Sequence, residues 1–240
     1  MFVSYTTYYL AIVALTLADA VTLFYSCPLF VTLLSAPFLA ERIGPKRYAA
    51  VLVGFAGVVV IMRPGSTLFD PAVLLGVAAA GSYAVSVIIT RRLSSSEAGS
   101  TMSFYAMVTF IAVSAIVGLV LGDGRFMTEV HPSAAFLFRP WVLPGLRDFL
   151  LLAICGLIAG GGFYLLTQAY RVGSPSVVTP FEYTSLPWAL LWGYLLWDER
   201  PGPATLIGLA LILGSGLYII YREGLRGRPA VSGRSIRPRI

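Results

Sequence analysis

The chain has 240 residues, of which 58% are hydrophobic and only 12% charged, with a formal net charge of +6 and a mean hydropathy of +0.83. A water-soluble domain carries about a quarter of its residues as Asp, Glu, Lys and Arg, so the composition excludes an ordinary soluble globular fold. The charges fall in short clusters between long apolar stretches, which implies an all-α integral membrane protein with about eight transmembrane helices.

A membrane-crossing helix needs about 20 largely apolar residues. In chain order the sequence predicts spans at Phe2–Leu17, Ala20–Ala40, Arg47–Met62, Pro71–Ile89, Thr101–Leu121, Phe149–Tyr170, Ser176–Leu196 and Ala204–Tyr221. The first and third are short. The apolar runs are too long and alternate too poorly for a transmembrane barrel. Met1-Phe2-Val3 enters an apolar run with no basic flank and no small-residue cleavage site, unlike a secretory signal. In the loop Gly122–Asp148, the patches Phe136-Leu137-Phe138 and Trp141-Val142-Leu143 are too short to span and suggest an interfacial helix.

Positive charge sets the orientation. Arg42, Lys46, Arg47, Arg91, Arg92, Arg171 and the arginines of Arg222–Arg239 fall on one side, against Arg63, Arg125, Arg139, Arg147 and Arg200 on the other. Both termini are therefore expected in the cytoplasm, in a multi-pass protein of the cell (inner) membrane. The basic tail, residues 222–240, is expected to meet anionic lipid headgroups rather than nucleic acid. Cys27 and Cys155 each lie within a predicted span and suggest neither a disulfide nor a metal site.

When the chain is slid on itself so that Tyr25 falls on Tyr183, Ala11 falls on Ala169 and Leu33 on Leu191. Glu41-Arg42 then meets Glu199-Arg200, and Gly44-Pro45 meets Gly202-Pro203. The first three spans thus repeat the last three. The first copy (1–63) has three spans and the second (71–221) has five, so matched spans run in opposite directions. Inverted repeats are an architecture of secondary transporters, with the substrate site near the midplane. Equal copies would place two further helices ahead of Met1, making this an incomplete ten-helix bundle. A misassigned start, a truncated gene or a deliberately shortened chain would each account for that.

The segment Leu17-Ala18-Asp19-Ala20-Val21 through Pro28, followed by Glu41-Arg42-Ile43-Gly44, resembles the first EamA domain of the drug/metabolite transporter superfamily. Ala169-Tyr170-Arg171 through Pro180-Phe181-Glu182-Tyr183-Thr184, ending at Glu199-Arg200, resembles the second. The resemblance implies a ten-helix inverted-repeat carrier of small organic metabolites. A truncated, transport-inactive or regulatory remnant is the alternative.

Glu182 is the most informative residue. A charged group in mid-membrane costs about 2.5–3.5 kcal/mol on insertion scales and usually faces a cavity or a partner. Thr179, Glu182 and Ser185 recur every three residues and form one polar stripe. Tyr25 and Tyr183 occupy matching positions in the two copies. Pro28 and Pro187 lie nearly opposite each other in the alignment, with Pro37 and Pro180 nearby. Each frees the carbonyl four residues earlier, Phe24 and Tyr183 respectively, which suggests hinges at Pro28, Pro180 and Pro187.

Tyr164 with Gln168, Tyr83 with Ser82 and Ser86, and Tyr105 with Thr109 could add polar groups to a cavity or bond a neighbouring helix. Trp188 and Trp192 read equally as cavity wall or lipid-facing. The expected substrate-binding set is Glu182, Tyr183, Tyr25, Thr179, Ser185, Gln168, Tyr164, Trp188 and Tyr83. Gly156, Gly160, Gly161 and Gly162 form a small-residue face suited to helix packing. Asp19 is expected as a helix N-cap, Ser94 and Glu97 as a capping box, and His131 as a solvated loop residue.

The sequence has no HExxH, no GxSxG, no second histidine and no nucleotide-binding glycine loop. It therefore predicts no enzyme activity, no cofactor, no bound metal and no ATP coupling. The expected partners are a small-molecule substrate and the lipid bilayer, with a homodimer left open.

Overall fold

The computed structural model describes residues 1–39, 44–65, 69–93, 99–126, 131–172 and 182–225, and among them every regular element is a helix. In chain order these are α1 (Phe2–Ala14), α2 (Leu17–Phe24), α3 (Cys27–Leu39), α4 (Pro45–Met62) and α5 (Ala72–Leu93). Then come α6 (Gly99–Leu121), α7 (Pro132–Phe138), α8 (Leu146–Val172), α9 (Ser185–Trp197) and α10 (Pro203–Leu225). Among the described residues six units are long and apolar enough to cross a membrane, α2 and α3 counting as one, and α1 is a shorter apolar helix. Of the expected Ser176–Leu196 span the described part begins at Glu182, and the thirteen-residue α9 covers it from Ser185 onward. Ser94 and Glu97 lie outside the described residues.

The expected Ala20–Ala40 span is two helices. The Tyr25 amide closes α2 on the Val21 carbonyl, the Ser26 amide turns back to Leu23, and the Leu29 amide opens α3 on the Ser26 carbonyl. Pro28, second in α3, has no N–H to offer the Phe24 carbonyl. The chain breaks where that bond would have formed. Pro28 therefore sits in a first turn, where a missing N–H costs little, rather than in mid-helix. Pro187 likewise occupies the first turn of α9, which follows a turn at Tyr183-Thr184. Pro37 is the proline inside α3.

The two breaks coincide in the repeat alignment. Shifted so that Tyr25 meets Tyr183, α3 begins and ends where α9 does, and Pro45 of α4 meets Pro203 of α10. Matched helices run in opposite directions. The start of α2 lies against Glu199, just beyond the end of α9, so α2–α3 leaves the membrane face at which α9 arrives. Across α4 and α10, Gly54 approaches Ser215 while Gly57 approaches Gly208, an antiparallel register.

Small residues bring α4 and α10 together. A Cβ on Gly57 would lie 2.8 Å from the Gly208 carbonyl oxygen and 2.8 Å from Leu211 Cβ, and one on Gly208 would collide with Ile61. Beside this contact Leu23, Val58, Ile61, Val73 and Ile212 form the main core, joining α2, α4, α5 and α10. By contrast a Cβ on Gly156, Gly160, Gly161 or Gly162 would meet nothing within 4 Å. α8 packs along α6 and leaves that face open, so close packing falls on the α4–α10 glycines instead.

Two local expectations are corrected. Thr16, not Asp19, is the N-cap of α2: its hydroxyl accepts the Asp19 amide at 3.2 Å, and Asp19 lies in the first turn. His131 is the N-cap of α7. Its Nδ1 accepts the Ser133 amide, which leaves the proton on Nε2 to reach Asp70 Oδ1 at 3.0 Å. Both nitrogens are engaged because α7 packs on α1, where the Ser133 hydroxyl also donates to the Leu10 carbonyl. Of the two short apolar loop patches, the first lies in α7. The second is not helical, although Trp141 packs over Gly118 of α6 and over Gly122 just beyond its end.

Candidate functional site

A residue that ends a helix inside a bundle leaves backbone polar groups that lipid cannot satisfy. The two breaks meet this demand by facing each other. Tyr25, in the first break, donates its hydroxyl to the Glu182 carbonyl in the second at 2.6 Å. The Glu182 carbonyl is available because the Leu186 amide turns instead to Tyr183. The Tyr25 hydroxyl also makes a short hydrogen bond with the Ser185 hydroxyl. The Tyr25 and Tyr183 rings lie 5.3 Å apart between centroids, tilted by 51°.

An aromatic wall extends from this junction. Phe24, the repeat partner of Glu182, lies 5.0 Å from the Tyr8 ring on α1 and 5.2 Å from Tyr83 on α5. Phe24, Tyr25, Tyr83 and Glu182 are only half-buried although they sit mid-bundle. The Glu182 carboxylate is within electrostatic reach of Tyr5 on α1, Tyr25, Cys27 at the start of α3, and Tyr183. One carboxyl, two broken helices and rings from α1, α2 and α5 therefore converge. Such a place can stack a planar ring and attract positive charge.

At one end the junction is closed by polar contacts. Glu199 Oε2 accepts the Leu17 amide at 2.8 Å, and Asp19 Oδ1 accepts the Thr205 hydroxyl at 2.6 Å. Both carboxyls stand at the positive end of α2, where a helix terminus favours an acid.

Of the expected site residues, the structure brings together Glu182, Tyr183, Tyr25, Ser185 and, through Phe24, Tyr83. Tyr164 and Gln168 hydrogen-bond each other at 3.0 Å on α8, away from this junction. Trp188 is 58% exposed and Trp192 48%, so both rings face outward. Thr179 and Pro180 lie outside the described residues. Tyr5, Tyr8, Phe24 and Cys27 belong to the junction but were not expected as site residues. The repeat offset carried the signal for Phe24, because it falls on Glu182.

The sequence profile of the EamA-like transporter family matches residues 1–63 and 70–222. The chain belongs to that family. An S-adenosylmethionine uptake transporter of Rickettsia bellii is 31% identical over 217 residues, covering 90% of this chain and 67% of the relative. A riboflavin transporter of Rhizobium johnstonii is 31% identical over 215 residues, with 90% and 65% covered. A pseudopaline exporter of Pseudomonas aeruginosa is 30% identical over 208 residues, with 86% and 66% covered. A solved crystal structure superposes with a TM-score of 0.56 at 26% identity, covering 92% of this chain and 74% of that one. This EamA-like chain thus spans about two thirds of the length of the curated relatives it matches. The family and these relatives are transporters, not enzymes, and the chain is a multi-pass membrane protein.

Proposed function

We propose that this EamA-like protein moves a small organic metabolite across the membrane by alternating access, with residues 1–63 and 71–221 as its two inverted repeats. The observation that carries the proposal is the pair of matching helix breaks joined by the Tyr25–Glu182 hydrogen bond. Paired interruptions at the interface of two repeats are where secondary transporters hold their cargo. Pro28 and Pro187 follow these breaks and, with Pro180, serve as hinges. A proton or substrate gradient supplies the energy. The protein lies in the cell membrane with both termini cytoplasmic, its basic tail against anionic headgroups.

Glu182 anchors the cargo, Tyr25, Tyr183, Phe24 and Tyr83 form the wall beside it, and Ser185 adds a hydroxyl. This combination favours a planar or positively charged metabolite. The relatives named for S-adenosylmethionine and riboflavin make those two compounds the first to try.

The test is uptake and efflux of a metabolite panel containing both compounds in vesicles, comparing the protein with Glu182→Gln. A charge-assisted contact is worth about 1.5–3 kcal/mol, so transport should fall by roughly tenfold or more in the variant. Transport that is untouched by the substitution moves the site elsewhere. No transport of any panel member by a membrane-inserted protein removes the proposal for those compounds.

A further inference from the structure

The two breaks are related by the repeat, yet their hydrogen bonding is not symmetric. Tyr25 reaches the carbonyl of Glu182. The same bond with the repeats exchanged would run from the Tyr183 hydroxyl to the carbonyl of Phe24, because Tyr183 matches Tyr25 and Phe24 matches Glu182. That bond is not made. The Tyr183 hydroxyl is buried without a hydrogen-bond partner, packed against the backbone of α10 at Gly216, where a Cβ would collide with it. Among the described residues the Phe24 carbonyl, left without an N–H by Pro28, accepts no hydrogen bond either. A donor and an acceptor that the symmetry pairs are thus both unsatisfied, while their counterparts are paired.

From this asymmetry we infer that Tyr25 and Tyr183 are reciprocal latches, each holding one of the protein's two opposite-facing conformations. The inference rests on the inverted-repeat reading proposed above. In the conformation seen here the Tyr25 latch is closed, and Glu199 and Asp19 seal the adjoining face against Leu17 and Thr205. When the repeats exchange conformations, Tyr183 leaves Gly216 and donates to Phe24 while Tyr25 releases Glu182. A buried polar group without a partner is costly, so each conformation carries the cost that the other relieves. The two states are thereby kept close in free energy, as a carrier that must visit both requires. Gly216 fits this role, since the hydroxyl can rest there only against a residue without a side chain. The ring contact between Tyr25 and Tyr183 makes the two movements interdependent.

The test measures spin-label distances between Val13→Cys and Trp197→Cys, exposed positions on the sealed face. It uses a Cys155→Ser background, since Cys155 is exposed and Cys27 is buried. Tyr25→Phe should move population from short to long distances by about fivefold, the factor that corresponds to one ordinary buried hydrogen bond. Tyr183→Phe should move it the opposite way by a similar factor, because it deletes the orphan hydroxyl of the conformation seen here. Shifts of the same sign in both variants, or no shift in Tyr183→Phe, overturn the latch. If Tyr25→Phe fails to insert, the sign of the Tyr183→Phe shift decides alone. A Tyr183→Phe protein that binds S-adenosylmethionine or riboflavin more weakly with unmoved distances would make that hydroxyl a cargo contact, and the latch falls. Opposite shifts in a protein that transports nothing support the latch and remove the transport reading; transport with unmoved distances removes the latch alone.

Discussion

Glu199 Oε2 accepts the backbone amide of Leu17 at 2.8 Å, so the acid just beyond α9 caps the first turn of α2. The acid of a pair that reads in the sequence as the end of a helix is, in space, part of the beginning of another. Glu199 thereby serves the half of the protein opposite its own.

Replacing Glu199 tests this cap. A hydrogen bond to a charged group is worth about 1.5–3 kcal/mol, so Glu199→Ala should lower the thermal midpoint of the detergent-solubilised protein. Glu199→Gln keeps an acceptor oxygen and gives up only the charge–dipole part, about 0.3–1 kcal/mol. It should fall between the alanine variant and the unmodified protein. Equal midpoints in all three would mean that the Leu17 amide finds another partner.

Beside it, the Asp19–Thr205 hydrogen bond at 2.6 Å joins α2 to α10. A hydrogen bond to a charged group is worth about 1.5–3 kcal/mol. Thr205→Val should therefore destabilise the protein, and adding Asp19→Asn should cost less than the two single changes together. The coupling in that double-mutant cycle, read from denaturant midpoints, should exceed about 0.5 kcal/mol. Additive effects would show that the two side chains do not act as a pair.

Much of this arrangement was legible in the sequence because the repeat preserves it. The matched Tyr25 and Tyr183 and the carbonyl freed by Pro28 mark where the two halves touch, but Ala20–Ala40 reads as one continuous span, and its division at Tyr25-Ser26 does not show in the sequence. The assignments that differ are those depending on which neighbour a surface meets. Gly156 and Gly160 have packing spacing, but among the described residues no helix lies against them, while Gly57 and Gly208 touch across helices far apart in sequence. Asp19 has the right type for an N-cap, yet Thr16 sits where the backbone leaves the helical region. His131 pairs with Asp70 only because α7 folds back onto α1. Periodicity reports the local helix and is silent about such long-range partners.

The glycine contrast gives a third prediction. Gly57→Ala places a methyl 2.8 Å from the Gly208 carbonyl oxygen, a backbone atom that cannot rotate away. Overpacking of this kind costs about 1–3 kcal/mol and should lower the thermal midpoint. Gly160→Ala adds its methyl to open space and gains helix propensity, up to about 1 kcal/mol. Its midpoint should hold or rise. A Gly160→Ala protein destabilised as much as Gly57→Ala would mean that α8 packs on a partner after all.

Aromatic residues on the two sides of the junction should separate in function. Phe24 touches the Tyr8, Tyr25 and Tyr83 rings, whereas Trp188 is 58% exposed and points out of the bundle. A ring that stacks on cargo contributes about 0.5–1.5 kcal/mol beyond its area, so Phe24→Leu should raise the KM for whichever panel compound is carried by severalfold. Trp188→Leu, a change of similar kind at a bundle surface, should leave KM within twofold of the unmodified protein. Vesicle uptake with expression-matched variants reads both at once. If Trp188→Leu raises KM and Phe24→Leu does not, the cargo lies on the outer face of α9, and the wall formed by Phe24, Tyr25 and Tyr83 is packing alone.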